Sequence, residues 1–168
     1  MFKSNSQSNI LLDNRFFKRI TTISLGFTLM YICAQLYIPI EPVPITLHTV
    51  GLLIIALTFN KSDAMIALST YIAAGATSLP VFSQHLGGIH VILGPSGGYI
   101  IGMLVCTYII TSLREKFGDN SFSQLLIYSI IGYLALISIG MFQLSFFVNT
   151  ANVLSLGFYP FILPGIIK

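Results

Sequence analysis

The residues of this chain that have chemistry to offer gather in three irregular stretches. The first, Ile38-Pro-Ile-Glu-Pro-Val-Pro-Ile-Thr-Leu-His48, carries Thr46 and His48 just past three closely spaced prolines. The second, Ser83-Gln-His-Leu-Gly-Gly-Ile-His-Val-Ile-Leu-Gly-Pro-Ser-Gly-Gly98, holds His85, His90 and Ser96 and leads into Tyr99. The third runs from Pro160 to Lys168. Metal binding is not expected, because His85 and His90 are five apart in a loop and His48 has no second ligand at helical spacing. Gly94-Pro-Ser-Gly-Gly-Tyr99 has the glycines of a phosphate cradle, yet no Lys-Ser/Thr and no preceding strand, which argues against a nucleotide. It reads better as a tight turn whose backbone approaches a ligand or another helix, with free N–H groups at the start of the next helix. There is no HExxH pair, no GxSxG elbow and no paired acid within a span, so no enzyme, catalytic residue or cofactor is expected. Nor is there a charged proton-relay chain of the kind an ion-driven pump needs.

The elements that position these groups must be membrane helices. Of 168 residues 55% are hydrophobic and only 8% charged, against about a quarter charged in ordinary soluble domains. A soluble globular enzyme and a disordered chain are excluded. So is a nucleic-acid-binding module, since the net charge of +3 is spread over a few scattered basic residues. Cys33 and Cys106 sit in separate apolar runs and offer no disulfide framework. Charge-free runs cover 20–40, 42–60, 64–113 and 120–167, and a helix needs about 20 apolar residues to cross a bilayer core. The expected fold is therefore all-α, a polytopic membrane bundle with spans near 20–38, 45–60, 64–82, 99–113 and 122–147. A sixth helix begins near Pro160 and Pro164, with only its first residues present. Residues 1–19 form a separate cytoplasmic segment, read as leading into an uncleaved first helix because no small-residue cleavage site follows.

Orientation follows from the basic residues. With Lys3, Arg15, Lys18 and Arg19 inside, alternation also places Lys61, Arg114 and Lys116 inside, as the positive-inside rule asks. All seven prolines, Glu41 and the three histidines then fall on the outer side. Irregular backbone near a bilayer is tolerated where it packs on protein or lines a watery cavity. Three such stretches on one face point to an outward-open cavity for a small molecule. Pro44 is expected at or just before the first turn of the second span, with Thr46 and His48 projecting into the vestibule. His48 reads equally as a polar residue satisfied by a neighbouring carbonyl. Tyr99 either stacks on a ligand or anchors at the interface, the commoner role. Lys168 either meets a small carboxylate or snorkels into headgroups. In the first span Thr22 and Gly26, and Ser24 and Thr28, repeat at the four-residue spacing that lets helices approach closely.

Several segments resemble those of a known family. Ile40-Glu-Pro-Val-Pro-Ile-Thr-Leu-His-Thr-Val-Gly51 is similar to its PVPITLQTLG stretch, with His48 where Gln is usual. Ala74-Gly-Ala-Thr-Ser-Leu-Pro-Val-Phe82 resembles GAIGLPVF. Gly87-Gly and Leu93-Gly-Pro-Ser-Gly-Gly-Tyr-Ile100 resemble GG…LGPTGGY, and Phe161-Ile-Leu-Pro-Gly165 resembles the opening of its last helix. By this resemblance, from about residue 20 to the end, the chain is identified as a member of the BioY family, the biotin-specific subunits of energy-coupling-factor transporters. The resemblance implies a six-helix bundle in the bacterial inner membrane, binding biotin at its outer face. It also implies partners: an energy-coupling membrane protein, docked against the small residues of the first helix, and two ATPase subunits. Pro44, Thr46, His48, Ser96 and Tyr99 map to its pocket, with Phe82 as a further apolar wall, Gln84 as partner of the ureido ring and Lys168 near the carboxylate. The last segment departs from the family: Gly165 is followed by Ile-Ile-Lys, without the usual Asp and one position short. Two alternatives stay open: a truncated, inactive membrane protein, and the same scaffold holding another small vitamin.

Overall fold

The computed structural model describes residues 4–40, 42–119, 121–149 and 152–158, with side chains from residue 15 onward. Glu41, Pro160, Pro164, Lys168 and the expected start of a sixth helix lie outside the described residues. Apart from one pair of two-residue strands, the regular elements are all helical. α1 (Ser4–Gln35) is a single helix of 32 residues, about 48 Å long at 1.5 Å per residue. It runs unbroken across residue 19, where the sequence suggested the edge of a leading segment. Its hydroxyls close onto carbonyls one turn back, Thr21 onto Phe17, Thr22 onto Lys18 and Thr28 onto Ser24, which satisfies them in apolar surroundings.

Strands β1 (Tyr37–Ile38) and β2 (Ile45–Thr46) then pair antiparallel, Tyr37 opposite Thr46 and Ile38 opposite Ile45. α2 (His48–Thr58) starts only after its N-cap Leu47. The sequence placed Pro44 at or just before this first turn; it lies three residues ahead of the N-cap, because the strand pairing of Ile45 and Thr46 holds the chain extended for two more residues. The expected spans 45–60 and 64–82 are both shorter as helices. α2 has 11 residues, about 16 Å, and α3 (Lys61–Ala76) ends six residues before Phe82. A 3-10 turn (Ser83–His85) and the short α4 (Ile89–Leu93) follow. Next come α5 (Gly97–Phe117), α6 (Phe122–Leu144) and the short α7 (Val153–Gly157). Among the described residues, α5 and α6 are the helices long and apolar enough to cross a bilayer.

The charged groups hold one end of the bundle. Asn60 caps α3 reciprocally, accepting from the Asp63 N–H at 2.9 Å and donating to its carboxylate at 2.7 Å. Arg19 of α1 meets the same carboxylate at 2.9 Å. Arg114 of α5 donates to the carbonyls of Ala56 and Phe59, satisfying the exit of α2. The strand pair, the 3-10 turn, α4 and the start of α5 lie at the opposite end. Between the two ends, Met30, Leu52, Ile55, Leu68, Tyr71 and Ile110 form a fully buried apolar core.

Candidate functional site

At the end away from the charged groups the helices part around a cavity of about 310 Å³, large enough for a small organic ligand. Four pieces of chain wall it: the proline stretch with the start of α2, the turn after Phe82, the Gly94–Ser96 turn with the start of α5, and the middle of α6. Pro44, Thr46, His48, Phe82, Gln84, Ser96 and Tyr99 all line it. Lys168 lies outside the described residues. The structure thus gathers three segments that are far apart in sequence.

His48 is buried and sits in a chain of hydrogen bonds. Its Nδ1 is 2.9 Å from the Thr46 hydroxyl and its Nε2 is 2.7 Å from the Tyr71 hydroxyl. Tyr71 in turn donates to the Val81 carbonyl at 2.9 Å. A phenol has one proton; since Tyr71 gives it to Val81, Nε2 carries a hydrogen and donates to the phenol oxygen. His48 is thus satisfied inside the bundle, by a tyrosine and not by the carbonyl the sequence suggested. The chain links β2, α2 and α3 to the backbone just before Phe82.

Phe82 is buried, its ring edge-on to Tyr71 at 5.8 Å between centroids. Its carbonyl accepts from Gln35 Nε2 of α1 at 3.1 Å. The turn that follows places Gln84 at φ 62° and His85 at φ 56°, a left-handed conformation that non-glycine residues seldom adopt. Gln84 and His90 stand exposed at the mouth. Between Phe82 and Gln84, Ser83 is only 8% exposed, and its Oγ is buried with no hydrogen-bond partner among the described residues. A buried hydroxyl in that state has hydrogen-bonding capacity left to offer a ligand or a water.

Tyr99 is not the interface anchor that its position in sequence favoured. It is buried, its hydroxyl donates to the Gly157 carbonyl at 2.8 Å, and its ring lies on Gly140, where any Cβ would collide with it. The phenol oxygen is engaged toward α7, which leaves the ring as cavity wall. Ile100, Met103, Leu136 and Ile137 complete the apolar part. No Asp, Glu, Lys or Arg is among the described lining residues, and no cluster of His, Cys, Asp and Glu among them could hold a metal. The described walls are thus mainly apolar, with hydroxyl, amide and imidazole groups among them.

The four small residues of α1 do not share one face. Gly26 is buried, and a Cβ there would come within 2.9 Å of Ala67 and 3.0 Å of Phe59. It packs α1 against α3 inside the chain and is not available to an outer partner, contrary to the expectation. Thr22 is half-buried, while Ser24 and Thr28 face outward. Sequence reasoning also missed Gln35, Tyr71, Ser83 and Gln143. Gln143 of α6 donates from Nε2 to the carbonyls of Ile92 and Gly94, each at 2.8 Å. For the two glutamines the available signal was an uncharged polar residue standing alone in an apolar run.

Residues 4–168 match the BioY family. The chain is 33% identical over 173 residues to the probable biotin transporter BioY of Rickettsia prowazekii, which covers 98% of this chain and 89% of that relative. It is 35% identical over 141 residues to the biotin transporter BioY of Thermotoga maritima, covering 83% of this chain and 82% of the relative. Its fold is similar to the crystal structure, at 2.1 Å, of the S-component for biotin from an ECF-type ABC transporter. There the TM-score is 0.74 and the identity 28%, with 83% of this chain and 76% of the other covered. The chain belongs to the BioY family and is, with it, a multi-pass plasma-membrane transporter component and not an enzyme.

Proposed function

We propose that this chain is the biotin-binding, substrate-specific membrane subunit of a vitamin uptake transporter. The observation that carries the reading is the buried Ser83 hydroxyl, without a hydrogen-bond partner among the described residues, in the wall of a largely apolar cavity. Biotin combines a neutral ureido head with a thioether ring and a flexible acid tail. The head finds Ser83, Thr46 and Gln84. The ring lies against Phe82, Tyr99 and Met103, and the family resemblance assigns Lys168 as the cation for the tail. The helices embed the chain in the membrane, with the N-terminus in the cytoplasm and the mouth outside. Passage inward is driven by an energy-coupling membrane protein and two ATPase subunits. In this reading the outward residues of α1, Ser24 and Thr28, remain open to that partner.

The test is binding of radiolabelled biotin to the full chain purified in detergent. Saturable binding displaced by unlabelled biotin, and not by unrelated vitamins, is the expected result. Binding that fails to saturate at micromolar ligand, or that another vitamin displaces better, overturns the assignment.

A further inference from the structure

Four backbone carbonyls around the cavity are gripped by side chains of the surrounding helices. Val81 accepts from Tyr71 of α3 and Phe82 from Gln35 of α1, while Ile92 and Gly94 both accept from Gln143 of α6. The last grip is distinctive because one amide nitrogen serves two acceptors, one hydrogen to each. Both acceptors sit at the exit of α4, where the final carbonyls of a helix lack intrahelical partners. A helix of five residues is too short to hold itself in place. Gln143 reaches it through a gap left by two glycines. A Cβ on Gly97 would lie 2.5 Å from Nε2 of Gln143, and one on Gly98 would lie 2.7 Å from its Cβ. On its inner side the same turn presents Gly94, Pro95 and Ser96 to the cavity.

We infer that Gln143 is a positioning residue for ligand retention: by clasping Ile92 and Gly94 it fixes the Gly94–Ser96 wall against the bound molecule. The inference rests on the biotin reading above, so its test has one arm that needs biotin and one that does not. The variants are Gln143→Leu, which removes the donors, and Gln143→Glu, which replaces them with a group that donates only when protonated. In the ligand-free full chain, hydrogen exchange at the amides of Gly94 and Gly97 is read, since these bond to Val91 and Gly94 within the same turn. Both variants are expected to exchange faster there than wild type at about pH 8. Biotin affinity at that pH is expected to fall roughly tenfold or more in both, as two hydrogen bonds are lost. Toward about pH 5 the Glu variant should recover part of its affinity relative to wild type, because its protonated carboxyl again donates. The Leu variant should not.

Unchanged exchange at Gly94 and Gly97 sinks the clasp whatever the ligand. Faster exchange with wild-type affinity sinks its role in retention, as does a Glu variant whose affinity ratio to wild type is the same at both pH values. If wild type itself shows no saturable biotin binding, the functional assignment falls, while exchange at Gly94 and Gly97 still decides the clasp.

Discussion

Replacing Tyr71 by Phe removes a single oxygen from the centre of the molecule and tests how the cavity wall is tied to the bundle. That oxygen accepts from His48 Nε2 at 2.7 Å and donates to Val81 at 2.9 Å. The ring itself keeps its edge-on contacts with Phe27 and Phe82, both at 5.8 Å, so little packing is lost. Each hydrogen bond contributes about 0.5–1.5 kcal/mol net, and buried polar contacts between membrane helices average near 0.6 kcal/mol. Tyr71 is fully buried, which keeps bulk water from replacing what is deleted. The expected loss is therefore about 1–3 kcal/mol, read by reversible unfolding of the purified protein in mixed detergent micelles. A double-mutant cycle with His48→Leu separates the shared bond from the rest. The two changes should be non-additive by about 0.5–1.5 kcal/mol, since either one breaks the His48–Tyr71 link. A destabilisation below about 0.5 kcal/mol, or strict additivity, would refute the argument that this chain of bonds holds the wall.

Three further expectations concern other parts of the molecule. Ser83→Ala should weaken biotin binding by roughly three- to tenfold while leaving the unfolding midpoint unchanged; equal affinity in radioligand titration would show that the hydroxyl does not meet the ligand. Gly140→Val should destabilise the fold by about 2 kcal/mol or more, because its Cβ collides with the Tyr99 ring and drives the phenol off Gly157, and wild-type stability in the same micelle assay would contradict this packing. Arg19→Gln should cost about 0.5 kcal/mol or less, an effect that fades with added salt, since the guanidinium is half-exposed; a larger loss that persists at high salt would mean the ion pair is better shielded than the structure shows.

Much of the site was readable because prolines and glycines cannot be spent freely in membrane helices. Their clustering marked the three stretches, and two of these converge on one cavity in the structure. What stayed hidden depends on which way a side chain turns within a helix. Four-residue spacing puts Thr22 and Gly26 on one stripe and Ser24 and Thr28 on another, but it does not say which stripe meets a neighbour. Gly26 turned inward to Ala67 and Phe59. Tyr99 sat near an expected water boundary, and only the contact with Gly140 and Gly157 shows that it points into the bundle. The partners of Tyr71, Gln35 and Gln143 were hidden for a related reason: each reaches a backbone atom, and the identity of the residue reached carries no trace of it. The short α2 was likewise masked, because an extended Ile45-Thr46 is as apolar as a helical one.

A wall gripped by its main chain has a consequence for how selectivity can change. Every amino acid offers the same C=O, so Gln35, Tyr71 and Gln143 would find their acceptors whatever side chains occupied 81, 82 and 92. Frame and lining are separable in part: exchanging Ser83, whose hydroxyl ties no neighbour among the described residues, alters what is recognised while the scaffold keeps its shape. A repertoire of guests can be explored on such a protein one residue at a time, without rebuilding the vessel.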